Sequence, residues 1–299
     1  MIELQISFVI VNYNTARLTL NCIQSIVKYC SSLTYEIIVV DNASSDNSKE
    51  VLGKLDSIIY IQRSENAGFG RANNRGAARA TGKYLFFLNP DTYLLDNAPK
   101  FFFDFMEHAE NQGVGCCGGD LIDDFGNQQV CYGNFPTIFE LFSQFGFWRL
   151  YPRYYREKLA ISRVNHSDTP VAVDYICGAD MFVRKSVFNE LGGFDEDFFM
   201  YFEETEFAYR MKRSGYSSVL VPSIRIVHLE GASFKKKDDI YRYDKVRLFE
   251  KSRQLYFRKT QGRIAACTVK VILSFQTLIR GLFRWDGHYL KVFRIIVRS

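Results

Sequence analysis

No two of the seven cysteines stand in CxxC spacing, and their number is odd. Neither a disulfide framework nor a zinc site is suggested, and a reducing cytosol fits best. Met1-Ile2-Glu3-Leu4 runs straight into a strand pattern without a basic stretch or a cleavage site, so no secretory leader is expected there. There is no internal repeat and no low-complexity stretch. The first strand-to-helix turn, Asn12-Tyr13-Asn14-Thr15-Ala16, contains no glycine, and Gly68-Phe69-Gly70 is followed by Asn73 where a dinucleotide fingerprint needs a third glycine. No GxxxxGK[ST] stretch occurs either, so phosphate binding of those two types is unlikely on sequence grounds.

What remains is a 299-residue chain, 47% hydrophobic, long enough for one large α/β domain or a domain with an appendage. Its net charge of +5 is unevenly spread. Residues 242–299 hold 14 Lys/Arg against 3 Asp/Glu, which leaves 24 basic and 30 acidic side chains elsewhere. An acidic body with a basic tail implies an anionic partner for the tail, a membrane surface or a nucleic acid.

The chain opens on a βαβαβ pattern. Gln5 to Val11 reads as a strand, and Thr15 can cap a helix from Ala16 to about Tyr29. Glu36 to Val40 is a second strand; Ser44 or Ser45 can cap a helix running to about Leu55, and Ile58 to Gln62 is a third strand. The stretch Asn66 to Thr92 is central: a Gly-rich turn, a helix rich in Ala72, Ala77, Ala78 and Ala80, a stop at Gly82, and an apolar strand Tyr84 to Leu88 that ends on Asn89-Pro90-Asp91. Parallel strands would bring Asn14, Asp41 and Asp91 together at one sheet edge, where open α/β sheets bind ligands. Pro99 suits the start of a helix reaching about Asn111, and Val114 to Ile122 with Gln128 to Tyr132 reads as a strand pair. Phe135 to Lys158 mixes aromatics with arginine, either a packed helical insertion or an acceptor-binding lid. Strand patterns follow at Val171 to Cys177, Met181 to Arg184, Ser218 to Val221 and Ile224 to Val227, with helices near Lys185 to Leu191 and Glu203 to Arg213.

The tail carries two helical patterns, Tyr243 to Lys259 and Ile264 to Phe283. In the second, Arg263, Lys270, Ser274, Thr277, Gly281 and Arg284 fall on one stripe, and Lys270, Gln276 and Arg280 interrupt the apolar run too often for a spanning helix. A helix lying in the membrane interface or one docked on the domain are the two readings. Among groups that could carry chemistry, Asp91 is the best metal candidate and His228, shortly before Gly231, a second. Glu203, Glu204 and Glu206 open a helix, where acids complement the dipole. Glu206 has Arg210 four residues on, as a surface pair would, whereas Glu204 faces Ala208 and stands beside aromatics that would raise its proton affinity.

In order and spacing, VIVNYN (9–14), VVDNASSDNS (39–48), NAGFGRANNRG (66–76), LNPDT (88–92), the run from Gly178 to Gly215 and HLEGAS (228–233) resemble family 2 glycosyltransferases, inverting enzymes of the GT-A fold. The resemblance implies a Rossmann-like, mostly parallel sheet flanked by helices over residues 1–240, with a nucleotide-binding half to 112 and an acceptor half from 113. Residues 241–299 then form a helical, membrane-associating appendage. It implies that Asp41 contacts the nucleotide base and that Asn14, Asn66, Gly68 and Asn73 shape the ribose and diphosphate pocket. Asn89, Gly178, Ala179 and Asp180 would also line the donor site. Asp91 matches the last Asp of the family's DxD motif and with His228 would bind Mg2+ or Mn2+; Asn89 replaces the first Asp. Glu204 matches the catalytic base. NPD together with CGADMFVRKS looks most like bacterial rhamnosyltransferases that use dTDP-L-rhamnose. The expected acceptor is a glycan or a polyprenyl-diphosphate-linked sugar, the expected location the inner face of the cytoplasmic membrane. No nucleic-acid-binding motif is present. A UDP-hexose enzyme of the same fold and a catalytically silent sugar-nucleotide binder are the alternatives.

Overall fold

A computed structural model describes residues 4–229, 239–284 and 287–299. Residues 1–3, and the last motif from residue 230 on with Gly231, lie outside the described residues. The strands are β1 (Ile6–Asn12), β2 (Tyr35–Asp41), β3 (Ile59–Gln62), β4 (Tyr84–Leu88), β5 (Thr92–Leu94), β6 (Val114–Ile122), β7 (Tyr132–Gly133), β8 (Val171–Val173), β9 (Tyr175–Ile176), β10 (Asp180–Arg184) and β11 (Ser217–His228). The helices of the body are α1 (Ala16–Tyr29), α2 (Ser48–Leu52), α3 (Phe69–Ala77), α4 (Ala98–Glu107), α5 (Ile138–Ser143), α6 (Pro152–Tyr154), α7 (Lys185–Glu190) and α8 (Glu203–Arg213). Three more follow: α9 (Asp239–Thr260), α10 (Gly262–Arg284) and α11 (Gly287–Arg298).

Nine strands form the main sheet, in the order β3-β2-β1-β4-β10-β6-β11-β5, with β8 added on β11. The first four are parallel neighbours, as is the β6–β11 pair; β10, β5 and β8 run against them. Because β10 is antiparallel to both β4 and β6, those two point the same way. The carboxyl ends of β1, β2, β4, β6 and β11 therefore share one edge. The uninterrupted apolar runs explain the interior position of β1 and β4, whose residues are all buried, since a strand covered on both faces has no polar side to show. The core between sheet and helices is aromatic, with Phe182 stacked on Phe102 and edge-on to Phe86.

Several local expectations need correction. Thr15 does not cap α1; its hydroxyl donates to Asn12 Oδ1. Ser44 and Ser45 precede a helix that begins only at Ser48, because their amides are taken by Asp41 and Asn14. Gly82 is not the stop of α3, which ends at Ala77; a side chain at Gly82 would meet the backbone of Ser7 in β1. The strand expected at 128–132 dwindles to one bridge with Ile122 and the short β7. The two patterns at 218–227 are one strand with an irregularity at Leu220/Arg225, where Pro222 lacks an amide to donate.

The tail helices pack on the body and on one another around Phe198, Phe202, Tyr256, Phe257, Val269 and Ile296. The Phe135–Lys158 segment folds as α5, α6 and intervening turns, with Leu141 in that same cluster, in keeping with a packed helical insertion. On α10 two polar positions point inward: Gln276 and Thr277 are buried, and Gln276 Nε2 donates to the Leu141 carbonyl at 2.8 Å. Ile264, Val271, Phe275, Leu278 and Leu282 are exposed instead. Despite Lys270, Gln276 and Arg280, the 22 residues from Gly262 to Phe283 are long and apolar enough to cross a membrane, with a mean hydropathy of 1.3.

Gly68 shows how closely the helices seat on the sheet edge. Its φ is +91°, and a Cβ there would lie 2.2 Å from the Phe199 carbonyl oxygen, which accepts the Phe69 amide. Gly68→Ala should lower stability by roughly 3 kcal/mol, the sum of a glycine-only backbone region and a clash with fixed backbone. Urea denaturation measures this, and an unchanged midpoint would contradict the seating.

Candidate active site

The end of β1 and the end of β2 are joined by a buried polar knot. Asn12, with no exposed surface, donates from Nδ2 to Asp41 Oδ2 at 2.8 Å and accepts the Thr15 and Thr19 hydroxyls on Oδ1. Asp41 Oδ1 in turn accepts the Ser44 amide at 2.8 Å and Gln62 Nε2 at 3.0 Å. Asp41 is thus fully covered, with the exposed Gln62 amide among its partners. Asn14 sits on the rim with φ +56°, its Oδ1 accepting the Ser45 and Asp46 amides. Asn42 reaches across to the Gly-rich turn: its Nδ2 donates to Asn66 Oδ1 at 2.8 Å and the Gly68 carbonyl, and its Oδ1 accepts the Ala67 amide. Asn12 and Asn42 had been passed over, although a polar residue closing an apolar strand is a signal of such a knot.

Two of the expected pocket residues turn inward. Asn73 is buried and donates back to the Phe69 carbonyl of its own helix. Gly68 is closed off by Phe199. Both help to hold α3 in place.

At the end of β4, Asn89 works through its backbone. Its amide donates to the Ala179 carbonyl at 3.0 Å, and its carbonyl accepts the Thr92 amide and hydroxyl. Asp91 follows, buried, and pairing of β5 with β11 sets Thr92 opposite His228. His228 Nε2 lies 3.5 Å from Asp91 Oδ1, and the Leu229 amide donates to the Asp91 carbonyl. The structure thereby brings the two expected metal ligands together. Among the described residues no third His, Cys, Asp or Glu completes a cluster, so an ion held here would take its remaining ligands from elsewhere.

Across the Asn89–Ala179 bond stands Glu204, at the first turn of α8. A side-chain carbon placed on Gly178 would lie 3.8 Å from Glu204 Cγ and 3.8 Å from the Phe69 ring, so Gly178 leaves methyl-sized room beside the Glu204 side chain. Burial raises the proton affinity of Glu204, opposed by backbone donors and the Thr205 hydroxyl. Glu203 is buried beside it with one oxygen lacking a partner among the described residues, and burial and the Glu204 charge push its carboxyl well up. Tyr201 and Phe202, with φ of +71° and +68°, deliver the chain to α8 in a strained left-handed conformation. Glu206 and Arg210 are paired as the spacing suggested, but the pair is internal: the guanidinium binds both carboxylate oxygens and also the Leu191 and Gly193 carbonyls.

Asp180 requires a correction. It has no exposed surface, and its Oδ2 accepts the Gly119 amide of β6 at 2.7 Å. Burial pushes its carboxyl well above the usual range. It locks β10 to β6 beneath the site and does not line it. Ala179 is likewise buried and contributes its carbonyl.

The model of Glycosyl transferase family 2 matches residues 7–192. N-acetylglucosaminyl-diphospho-decaprenol L-rhamnosyltransferase of Mycobacterium tuberculosis is 25% identical over 217 residues, 64% of this chain and 66% of that enzyme, so a little under two thirds of its length is spanned. The low-salt glycan biosynthesis hexosyltransferase of Haloferax volcanii is 26% identical over 293 residues, 95% of this chain and 87% of its own. The solved mannosyltransferase of Pyrobaculum calidifontis, in complex with GDP-Man and Mn2+, shares the fold at a TM-score of 0.54 and 14% identity, over 98% of this chain and 85% of that one. The family's pattern runs from β1 through α7, more than half of the residues, and the chain belongs to glycosyltransferase family 2.

Proposed function

We propose that this chain is an inverting glycosyltransferase that moves L-rhamnose from dTDP-L-rhamnose to a hydroxyl of a glycan or polyprenyl-diphosphate-linked acceptor. Such transfers build cell-surface polysaccharide. One observation carries the chemistry: the Asn89 amide on the Ala179 carbonyl ties the chain two residues before Asp91, which pairs with His228, to the chain one residue after Gly178, which lies against the half-buried Glu204 side chain. The mycobacterial relative, a rhamnosyltransferase whose name carries a lipid diphosphate acceptor, supports both the donor sugar and the acceptor class. The archaeal hexosyltransferase, aligned over nearly the whole chain, supports a hexose donor as the second reading.

Glu204 takes the proton of the acceptor hydroxyl. That oxygen attacks the anomeric carbon from the face opposite the breaking bond, so a single displacement inverts the configuration. The room at Gly178 adjoins the Glu204 side chain. On the donor side, the Gln62 amide on Asp41 Oδ1 occupies the position that the imide N–H of a pyrimidine base would take. Asn14 and Asn66 frame the ribose and diphosphate from the loops that follow β1 and β3. Asp91 and His228, one carboxylate and one imidazole, are the residues that would hold Mg2+ or Mn2+ here. Such an ion, when bound, offsets the charge gathering on the departing nucleoside diphosphate.

The body is placed against the inner face of the cytoplasmic membrane by its tail. The outer face of α10 is apolar, and Phe142, Phe147 and Trp148 of the neighbouring insertion are exposed beside it, with Phe145 touching Phe275. With its inner face bound to Leu141, α10 lies along the bilayer instead of across it.

Glu204→Gln should cut turnover by about a thousandfold while leaving nucleotide affinity unchanged; full activity in that variant sinks the base assignment. Because the base must be ionised, turnover should fall tenfold per unit as pH drops through the Glu204 pKa. That acid limb should lie above the ordinary carboxylate range. A limb at or below that range would place the proton acceptor elsewhere. Phe275→Glu with Leu278→Glu should weaken sedimentation with phosphatidylglycerol vesicles by roughly a hundredfold and spare donor hydrolysis. Unchanged sedimentation would remove the membrane role of α10.

A further inference from the structure

An open cleft lies between α9 and α11. It offers about 700 Å³, open to solvent on one side, and is lined by Arg247 and Lys251 of α9 and by Lys291, Arg294 and Arg298 of α11. Within each helix these cations recur at three- and four-residue spacing, so each presents one charged stripe, and the two stripes face each other. Like charges so placed repel, and an ordinary solvated surface would intersperse acids among them. Among the described residues lining it there is one aspartate, Asp244, and it is held by Arg247 at 2.8 Å. The Lys291 ammonium sits over the Tyr243 ring at 5.0 Å, and Tyr243 hydrogen-bonds His288, which braces the two helices together. Among the described residues no carboxylate pairs with Lys251, Lys291, Arg294 or Arg298.

We propose that this cleft binds the diphosphate of the lipid-anchored acceptor, a deepening that rests on the function proposed above. Two arginines and two lysines without acidic partners supply the forked and the compact donors that phosphate oxygens accept. The volume exceeds what a diphosphate alone needs and leaves room for the groups joined to it. The setting also fits an amphiphile. Helix α11 packs directly on α10, where a side chain on Gly281 would come within 3.2 Å of Tyr289 Cβ. The apolar outer face of α10 therefore belongs to the same three-helix unit as the basic cleft, so lipid chain and charged head each have a matching surface. A nucleic acid would want open aromatic faces for stacking; the aromatic ring lining the cleft, Tyr243, is already covered by Lys291.

The test uses the full chain with Lys251→Glu and Arg294→Glu together, both side chains being exposed, and Lys251→Arg with Arg294→Lys as the charge-preserving control. Sedimentation is measured with phosphatidylcholine vesicles carrying either farnesyl diphosphate or phosphatidylglycerol, and donor hydrolysis is followed in parallel. The expected result is a loss of about tenfold or more on farnesyl diphosphate vesicles for the reversed pair, little loss on phosphatidylglycerol, near-parental binding by the control, and unchanged hydrolysis throughout. Unchanged binding of the reversed pair to farnesyl diphosphate overturns the site. Equal loss on both vesicle types overturns the acceptor assignment in favour of bulk anionic headgroups. Charge-dependent diphosphate binding in a chain that hydrolyses no donor would leave the cleft standing and remove the catalytic reading instead.

Discussion

One backbone hydrogen bond holds the site in register: the Asn89 amide on the Ala179 carbonyl. It closes the gap between the end of β4 and the start of β10, and it exists because β10 runs against its neighbours in a sheet that is otherwise mostly parallel. An antiparallel insertion brings the amino end of a strand to the edge where the parallel strands finish. Asp91 is then two residues beyond the bond on one side, and Gly178, facing Glu204, is one residue before it on the other. The buried Asp180 carboxylate on Gly119 fixes the same β10 to β6. A buried carboxyl group with one oxygen bonded to Gly119 and the other without a partner among the described residues is a costly way to lock a strand, which fits a place where displacement of an ångström would disturb the edge above it.

The position of Glu204 depends on the tail as much as on the sheet. Tyr201 and Phe202 reach α8 through two consecutive left-handed residues, each costing on the order of 1–3 kcal/mol. What offsets this comes from α9: Ser252 donates to the Met200 carbonyl, and Phe202 packs on Phe249 and Tyr256. The appendage is consequently a structural partner of Glu204. A change that loosens α9 from the body would be felt at Glu204 before it was felt in the sheet.

How much of this could be read from the sequence follows from the range of the forces involved. The limits of α1 and the cores of β1, β2 and β4 were legible because their signals are local, an apolar run or stripe ended by polar residues. So was the gathering of Asp91 and His228, since strand polarity and the resemblance both lead there. The buried fate of Asp180 was not legible, because it is decided by a backbone amide 61 residues away. Gly68 looked like a phosphate-binding glycine, and its real constraint is the Phe199 carbonyl from beyond β10. Glu206 and Arg210 announced their pairing by spacing, while their burial came from carbonyls at Leu191 and Gly193 that spacing does not encode. Asn12 and Asn42 carried a local signal, each a polar residue where an apolar strand stops, that was open to reading.

Helix α10 marks the limit of periodicity most clearly. A 3.6-residue stripe shows that a helix has two faces, and the usual inference turns the apolar one inward. Here the inward face carries Ala265, Ala266, Gln276 and Thr277 along with Val269 and Leu273, because the helix must approach α5 closely and satisfy the Leu141 carbonyl. Small and polar side chains do both. The bulky apolar residues are left to face outward, where in water they would be a standing liability. That arrangement is favourable against a medium that is itself apolar, and basic groups at either end of the helix, Arg263 and Arg280, suit the charged border of such a medium. The orientation of α10 thus argues for a membrane more strongly than its composition does, and it could be known only once the helix had been seen against its neighbours.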